Sequence, residues 1–231
     1  MLLMVRKSHY LLSSVITCLT FISTLDAYDY KKHIPEEYRQ FLTDNDQDDK
    51  NDVFQKEEHY GPFHLADKKV HKLKINGPAS LEHVKVKDNL IVNGPATLEN
   101  VDVNKNLIVH GPLDSINCTI HTLDVMGPVS MRDSVIKKKA KIYGPLDAVG
   151  TKFEHTIEIA SDSISLEDTK AHAIRILKNS SKRQKPQKLI LKGNSIIHSD
   201  ITFESGHGIV IVSKNATIKG KVKGAKVEYF G

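Results

Sequence analysis

Three sets of residues in this 231-residue chain have types and spacings that could do chemistry: an aspartate run, a scatter of histidines and several lysine clusters. In "DNDQDDKNDVFQ", Asp44, Asp46 and Asp48 alternate as oxygen ligands do in the first half of an EF-hand calcium loop. The position that needs Gly for the sharp turn is Asp49, and the closing bidentate Glu is replaced by Gln55, so the run reads as solvated acid rather than as a metal site. The basic clusters are Lys137, Lys138 and Lys139, then Lys182, Arg183, Lys185 and Lys188 in "KNSSKRQKPQK", with Lys219, Lys221, Lys223 and Lys226 near the end. The first seven are candidate contacts for an anionic ligand, a glycan above all, because clustered ammonium groups attract polyanions without any shaped pocket. No aromatics interleave with them and no base-reading motif accompanies them, so nucleic acid is not expected. A plain solubility face is the competing reading of the same lysines.

Behind these residues stands a repeat. Gly-Pro pairs fall at Gly61, Gly77, Gly94, Gly111, Gly127 and Gly144, so the successive intervals are 16, 17, 17, 16 and 17 residues. Aligned on Pro, the apolar residues superpose: Leu81, Val84, Val86, Leu90 and Val92 match Leu98, Val101, Val103, Leu107 and Val109. Runs such as "VKV", "VDV" and "LIV" alternate with period two, which means short strands with one face in and one out. Strands and turns at fixed period, with no helix between them, predict an all-β, single-stranded parallel β-helix of about 17 residues per rung. Parallel crossovers favour the right hand. Residues 61–231 then supply about nine rungs at ~4.8 Å each, a rod on the order of 40 Å long. Pro, lacking an N–H, and Gly, lacking a Cβ, belong at a corner of the coil.

The histidines do not converge on this frame. His71 and His121 share a phase but lie three rungs apart, roughly 14 Å, too far to share a metal. Asn76, Asn93 and His110 share another phase, as do Asn89 and Asn106, and turn Asn is expected to bond backbone groups. Cys118 falls where Val84 and Val101 stand and reads as a buried small hydrophobe. The sequence therefore offers no catalytic constellation, no cofactor fingerprint and no metal set, and an enzyme is not expected.

Charge divides the chain by segment. Residues 1–27 carry two Lys/Arg against one Asp/Glu, residues 28–60 five against ten, and residues 61–231 twenty-six against seventeen. Arg6 and Lys7 precede an apolar stretch and then Ala27, the layout of a secretory signal peptide over residues 1–27. An uncleaved anchor and lipidation at Cys18 are the alternatives. Residues 28–60 read as an acidic linker with one short helix from Pro35 to Leu42. Residues 61–231 form the β-helix domain, with a basic loop thrown out near 178–188. Tyr229 and Phe230 are candidates to cap its open end.

A rung of about 17 residues with three short aliphatic strands and Gly at the corners, as in "LIVNGPATLENVDV", resembles the bactofilins, over roughly residues 63–176. That resemblance implies a polymer-forming right-handed β-helix that acts as a scaffold and binds no nucleotide. The export leader, the insertion and the aromatic end depart from that family's cytoplasmic pattern. The expectation is an exported, non-enzymatic scaffold or interaction protein of a bacterial envelope, periplasmic, surface-bound or secreted. Its partners would be envelope proteins or an anionic glycan, with no transmembrane domain once the leader is removed. A glycan-binding or glycan-modifying β-helix and a self-associating filament former are the alternatives.

Overall fold

The computed structural model describes residues 53–54, 58–178 and 186–230. The leader with Cys18, the short helix at 35–42, the aspartate run and Lys182, Arg183 and Lys185 lie outside the described residues. No helix occurs among the described residues, which form a stack of short parallel strands. One copy shows the plan. Ala96–Glu99 forms the first face, and Asp102–Val109 bends round a corner to supply the second face at Asp102 and Val103 and the third at Leu107 to Val109. The first face is a sheet of ten strands; the second and third are joined by such corner-turning strands into a sheet of sixteen.

Each strand pairs in register with the equivalent strand one copy away. Leu113 lies between Ala96 and Val129, and Leu107 between Leu90 and Leu123. Like therefore stacks on like, and the six inward positions of each copy make a single aliphatic core. Volumes compensate along a column: Met131 stands against Ala148, and Phe153 against Ala171. The choice between 16 and 17 residues is settled at the corner between the second and third faces. Ile120 and Leu123 are separated by two residues where Val103 and Leu107 are separated by three, and pairing slips by one residue there.

Each face carries ten strands, so the expectation of about nine rungs is corrected to about ten turns. Val53–Phe54 and Glu58–Tyr60 already form the second and third faces of a turn before Gly61. The linker assigned to residues 28–60 thus gives way to the solenoid at Val53. Charge hid this turn: its outward Glu58 looked like linker, but it pairs with Lys74 at 2.8 Å.

The Gly-Pro corner is tight because copies meet there. A Cβ on Gly111 would stand 2.6 Å from the carbonyl oxygen of Gly94 and 2.7 Å from its carbonyl carbon. Stacking excludes a side chain here, and a φ of +158° at Gly111 adds backbone strain to that clash. The next corner is left-handed: Asp67, His83, Asn100, Asn117, Asp133 and Asp168 all have φ between 47° and 53°, a region that Asn, Asp and His tolerate better than other side chains.

Inside that corner the aliphatic column changes chemistry. Val84 and Val101 are followed by Cys118, Ser134, Thr151, Thr169 and Ser195, all buried. The Ser134 hydroxyl lies 2.8 Å from the Arg132 carbonyl and accepts from the Cys118 N–H at 3.1 Å. The Thr169 hydroxyl lies 2.8 Å from the Glu167 carbonyl and accepts from the Thr151 N–H at 3.4 Å, and Ser195 accepts from the Thr169 N–H at 3.2 Å. The Ser134, Thr169 and Ser195 hydroxyls each satisfy a corner carbonyl in their own copy and an amide in the copy before, and Thr151 meets the Val149 carbonyl at 3.1 Å.

Candidate binding surfaces

The outer surface inherits the same stacking. At the corner between the third and first faces, the His110 ring nitrogen Nδ1 lies 2.8 Å from Asn93 Oδ1, Asn93 Nδ2 donates to Asn76 Oδ1 at 2.7 Å, and Asn76 Nδ2 donates to Glu58 Oε1 at 2.8 Å. The bonds from Lys74, Asn76 and Tyr60 hold the Glu58 carboxyl down at about 2. Asn106 Nδ2 donates to Asn89 Oδ1 at 2.8 Å, and Asn117 donates to Asn100 at the left-handed corner. Asn side chains expected to bond backbone thus mainly bond one another, because equal phase places each amide directly over the last.

The four candidate anion contacts among the described residues are not all brought together. Lys137, Lys138 and Lys139 occupy the corner between the second and third faces, whereas exposed Lys188 begins the first-face strand Lys188–Lys192, three copies further on. The chain leaves the third face after Ile176 and rejoins the first at Lys188, so these two strand ends lie at a different corner from Lys137, Lys138 and Lys139. Lys139 is committed to an ion chain: its Nζ lies 2.6 Å from Glu158, Arg175 lies 3.8 Å from Glu158, and Arg175 Nε donates to Glu204 at 2.7 Å. Lys137 and Lys138 are exposed and have no ion-pair partner among the described residues. Near the end, Lys223 is paired with Asp200 at 2.8 Å; this pairing and the Lys221 amide lower the Asp200 carboxyl.

Tyr229 and Phe230 lie on the last strand, Ala225–Phe230, which pairs only with Gly208–Ser213. They are 79% and 46% exposed, so neither is folded tightly over the end of the core. Cys118 is buried in the hydroxyl column, and burial pushes its thiol up to about 11, which leaves it a neutral packing group at physiological pH.

Two surface features lay beyond segment-by-segment reading. The first is a shallow open trough of about 590 Å³ on the first face, floored by Thr97, Asp114, Ser130, Asp147 and Ser165 and walled by the stacked prolines. A second stretch of about 410 Å³ continues it past Ser80 and His64. Asp114 and Asp147 are separated by the Ser130 copy, hence roughly 10 Å apart at strand spacing, well beyond the separation of a retaining carboxylate pair. Among the described residues no group of three or more His, Cys, Asp or Glu could hold a metal ion.

The second feature is a division of charge by face. Between residues 61 and 178, the spans that build the first face with its Gly-Pro and left-handed corners hold nine Asp/Glu and one Arg. The spans that build the second face and its corner with the third hold eleven Lys and three Asp/Glu. The signal was present in the order of residues within each copy, "GPxxLE" before "VKVKD", but a charge count along the chain adds the two faces together.

No helix among the described residues is long and apolar enough to cross a membrane. No known protein family, curated protein or solved structure matches the chain.

Proposed function

We propose that this protein is an exported, non-enzymatic β-solenoid that serves as a scaffold or interaction surface in a bacterial envelope. The observation that carries this reading is the use to which the outer polar groups are put. The Asn, His, Lys, Glu and Arg side chains that would build a reacting site are instead bonded from copy to copy, in the His110–Asn93–Asn76–Glu58 and Lys139–Glu158–Arg175–Glu204 chains. Such groups stiffen a rod and present fixed faces. The signal-peptide layout at the start of the sequence supports export.

The test is a hydrolase and lyase screen on acidic and neutral polysaccharides with the purified protein, alongside Asp114→Asn and Asp147→Asn variants. Absence of turnover in all three proteins is expected. Saturable cleavage that either substitution abolishes would replace the scaffold reading with an enzyme seated in the trough. Fractionation with intact-mass measurement tests export: a mature chain beginning after Ala27 outside the cytoplasm is expected, and a full-length cytoplasmic chain would overturn it.

A second reading, filament formation, is favoured by the open edge of Ala225–Phe230. Negative-stain microscopy before and after deletion of residues 227–231 decides it: filaments lost on deletion support it, and single rods in both samples exclude it.

A further inference from the structure

The second face repeats its charge on the lattice of the solenoid. Its outward column runs Lys69, Lys85, Asp102, Thr119, Val135, Lys152 and Lys170, one residue per copy in register. Two residues on, at the corner, stand His71, Lys87, Asn104, His121, Lys137 and Glu154. Some of this charge is locally answered: Lys85 by Asp102 at 3.7 Å, Lys105 by Asp88 at 3.1 Å and Lys152 by Glu154 at 2.7 Å. Lys87, Lys137, Lys138 and Lys170 are exposed and have no ion-pair partner among the described residues. The strip is continuous in register, about 30 Å long over seven copies, and offers ammonium groups with imidazoles between them. Among the described residues the large exposed apolar side chains are elsewhere: Tyr60, Met126 and Tyr143 at the opposite corner, Ile116 on the first face, Tyr229 and Phe230 on the last strand. Nothing on the strip is built to enter a bilayer.

We propose that the second face, with its corner to the third, is a docking surface for a linear acidic polysaccharide laid along the rod axis. A chain of sugar carboxylates or sulfates meets the strip along its length, whereas a compact anion would use only one or two copies of it. Complementarity comes from charge alone. Asp67, Asp133 and Asp168 at the left-handed corner border the strip within two residues of its outward column, so a polyanion is steered away from the first face and toward the corner with the third, where Lys87, Lys137 and Lys138 stand. This assignment rests on the rod being an interaction scaffold, and it places the contact on the solenoid wall rather than on the loop at 178–188.

The test measures binding of the full chain to polygalacturonate oligomers by calorimetry across a salt series. Its comparisons are Lys87→Gln/Lys137→Gln/Lys138→Gln/Lys170→Gln and the loop variant Lys182→Gln/Arg183→Gln/Lys185→Gln, with far-ultraviolet circular dichroism to confirm folding. Each lysine lost near a polyanionic surface costs about fivefold in affinity, so the wall variant is expected to bind on the order of a hundredfold or more weakly and to show a shallower salt dependence. The loop variant is expected to stay within about threefold of the parent. Loss in the loop variant with the wall variant unaffected would overturn the assignment. So would equal binding of fully methyl-esterified polymer, tighter binding to phosphatidylglycerol vesicles than to polygalacturonate, or salt-sensitive self-association that competes with the polymer. Should the polymer be cleaved while the wall variant loses binding, the scaffold reading fails and the docking surface stands.

Discussion

Gly111→Ala isolates what the repeated glycine contributes. The added Cβ would lie 2.6 Å from the Gly94 oxygen, about 0.8 Å inside the 3.4 Å of ordinary contact, and the obstacle is backbone that cannot rotate away. Relief requires the two copies to part at this corner by most of that distance. The adjacent bond, from the Ala96 N–H to the Pro112 carbonyl, is 2.9 Å long and would stretch to roughly 3.7 Å, beyond hydrogen-bond range. The expected cost is about 1–3 kcal/mol for overpacking, joined by ~1 kcal/mol for the hydrogen bond, beyond the backbone strain that a positive φ imposes at both Gly111 (+158°) and Gly61. Gly61→Ala is the control: φ there is +88°, but a Cβ meets nothing within 4 Å, so only conformational strain of ~1–2 kcal/mol applies. Urea unfolding followed by far-ultraviolet circular dichroism should place the Gly111→Ala midpoint well below that of Gly61→Ala at similar slope. If Gly111→Ala costs no more than Gly61→Ala, close stacking of the corners is not what selects glycine.

The interior corner supplies a matched pair of predictions. Thr169→Val removes a buried hydroxyl that lies 2.8 Å from the Glu167 carbonyl and also meets the Thr151 N–H, and should cost about 1–3 kcal/mol in urea unfolding. Ser115→Ala removes a fully buried hydroxyl that has no hydrogen-bond partner and should be neutral or stabilising by about 1 kcal/mol. Cys118, its thiol raised to about 11 by burial, should resist iodoacetamide in the native protein near neutral pH and react on denaturation, as read by peptide mass. Glu58 sits at about 2 because Lys74, Asn76 and Tyr60 bond its ionised form. A depressed carboxyl stabilises fully above its unfolded value of about 4.3 and loses that contribution as pH falls through the folded value. Thermal melts should therefore drop between about pH 5 and pH 2.5 less steeply in Glu58→Gln than in the parent.

The repeat was legible because the solenoid places identical demands on every copy. Leu90, Leu107 and Leu123 must fill the same slot, so the period shows in the sequence, and period-two runs name the strands. What escaped reading was whatever is defined across copies or across faces. Asn76 over Asn93 was visible as equal phase, but that the amides bond each other depends on the stacking distance. Cys118, Ser134, Thr151 and Thr169 look like a weakening of an aliphatic column, yet they form a second hydrogen-bonding column inside the corner. The turn before Gly61 carries no Gly-Pro mark, and its strands are so short that only pairing with the next copy reveals them. The charge division was hidden because each copy writes its acid and its lysines within a few residues of one another, while the fold sends them to different faces.

That division has an energetic consequence. On a parallel stack, like charges at equal phase stand about 4.8 Å apart, closer than the screening length of ~8 Å at physiological salt, so each repeated lysine works against the fold. The copies show partial relief: Asp102 stands between Lys85 and the later members of its column, Asp114 and Asp147 are separated by Ser130, and Glu154 breaks the line between Lys137 and His172. The relief is incomplete where Lys137 and Lys138 sit side by side and where Lys152 is stacked directly on Lys170. A polyanion along this face would remove repulsion that the free rod carries and would bind the folded state alone, since unfolding scatters the lysines. Polygalacturonate should accordingly raise the melting temperature, more strongly at low salt, by an amount set by its concentration relative to its dissociation constant. The wall variant should show the converse pair of effects: a higher intrinsic melting temperature at low salt, and little further gain on adding polymer.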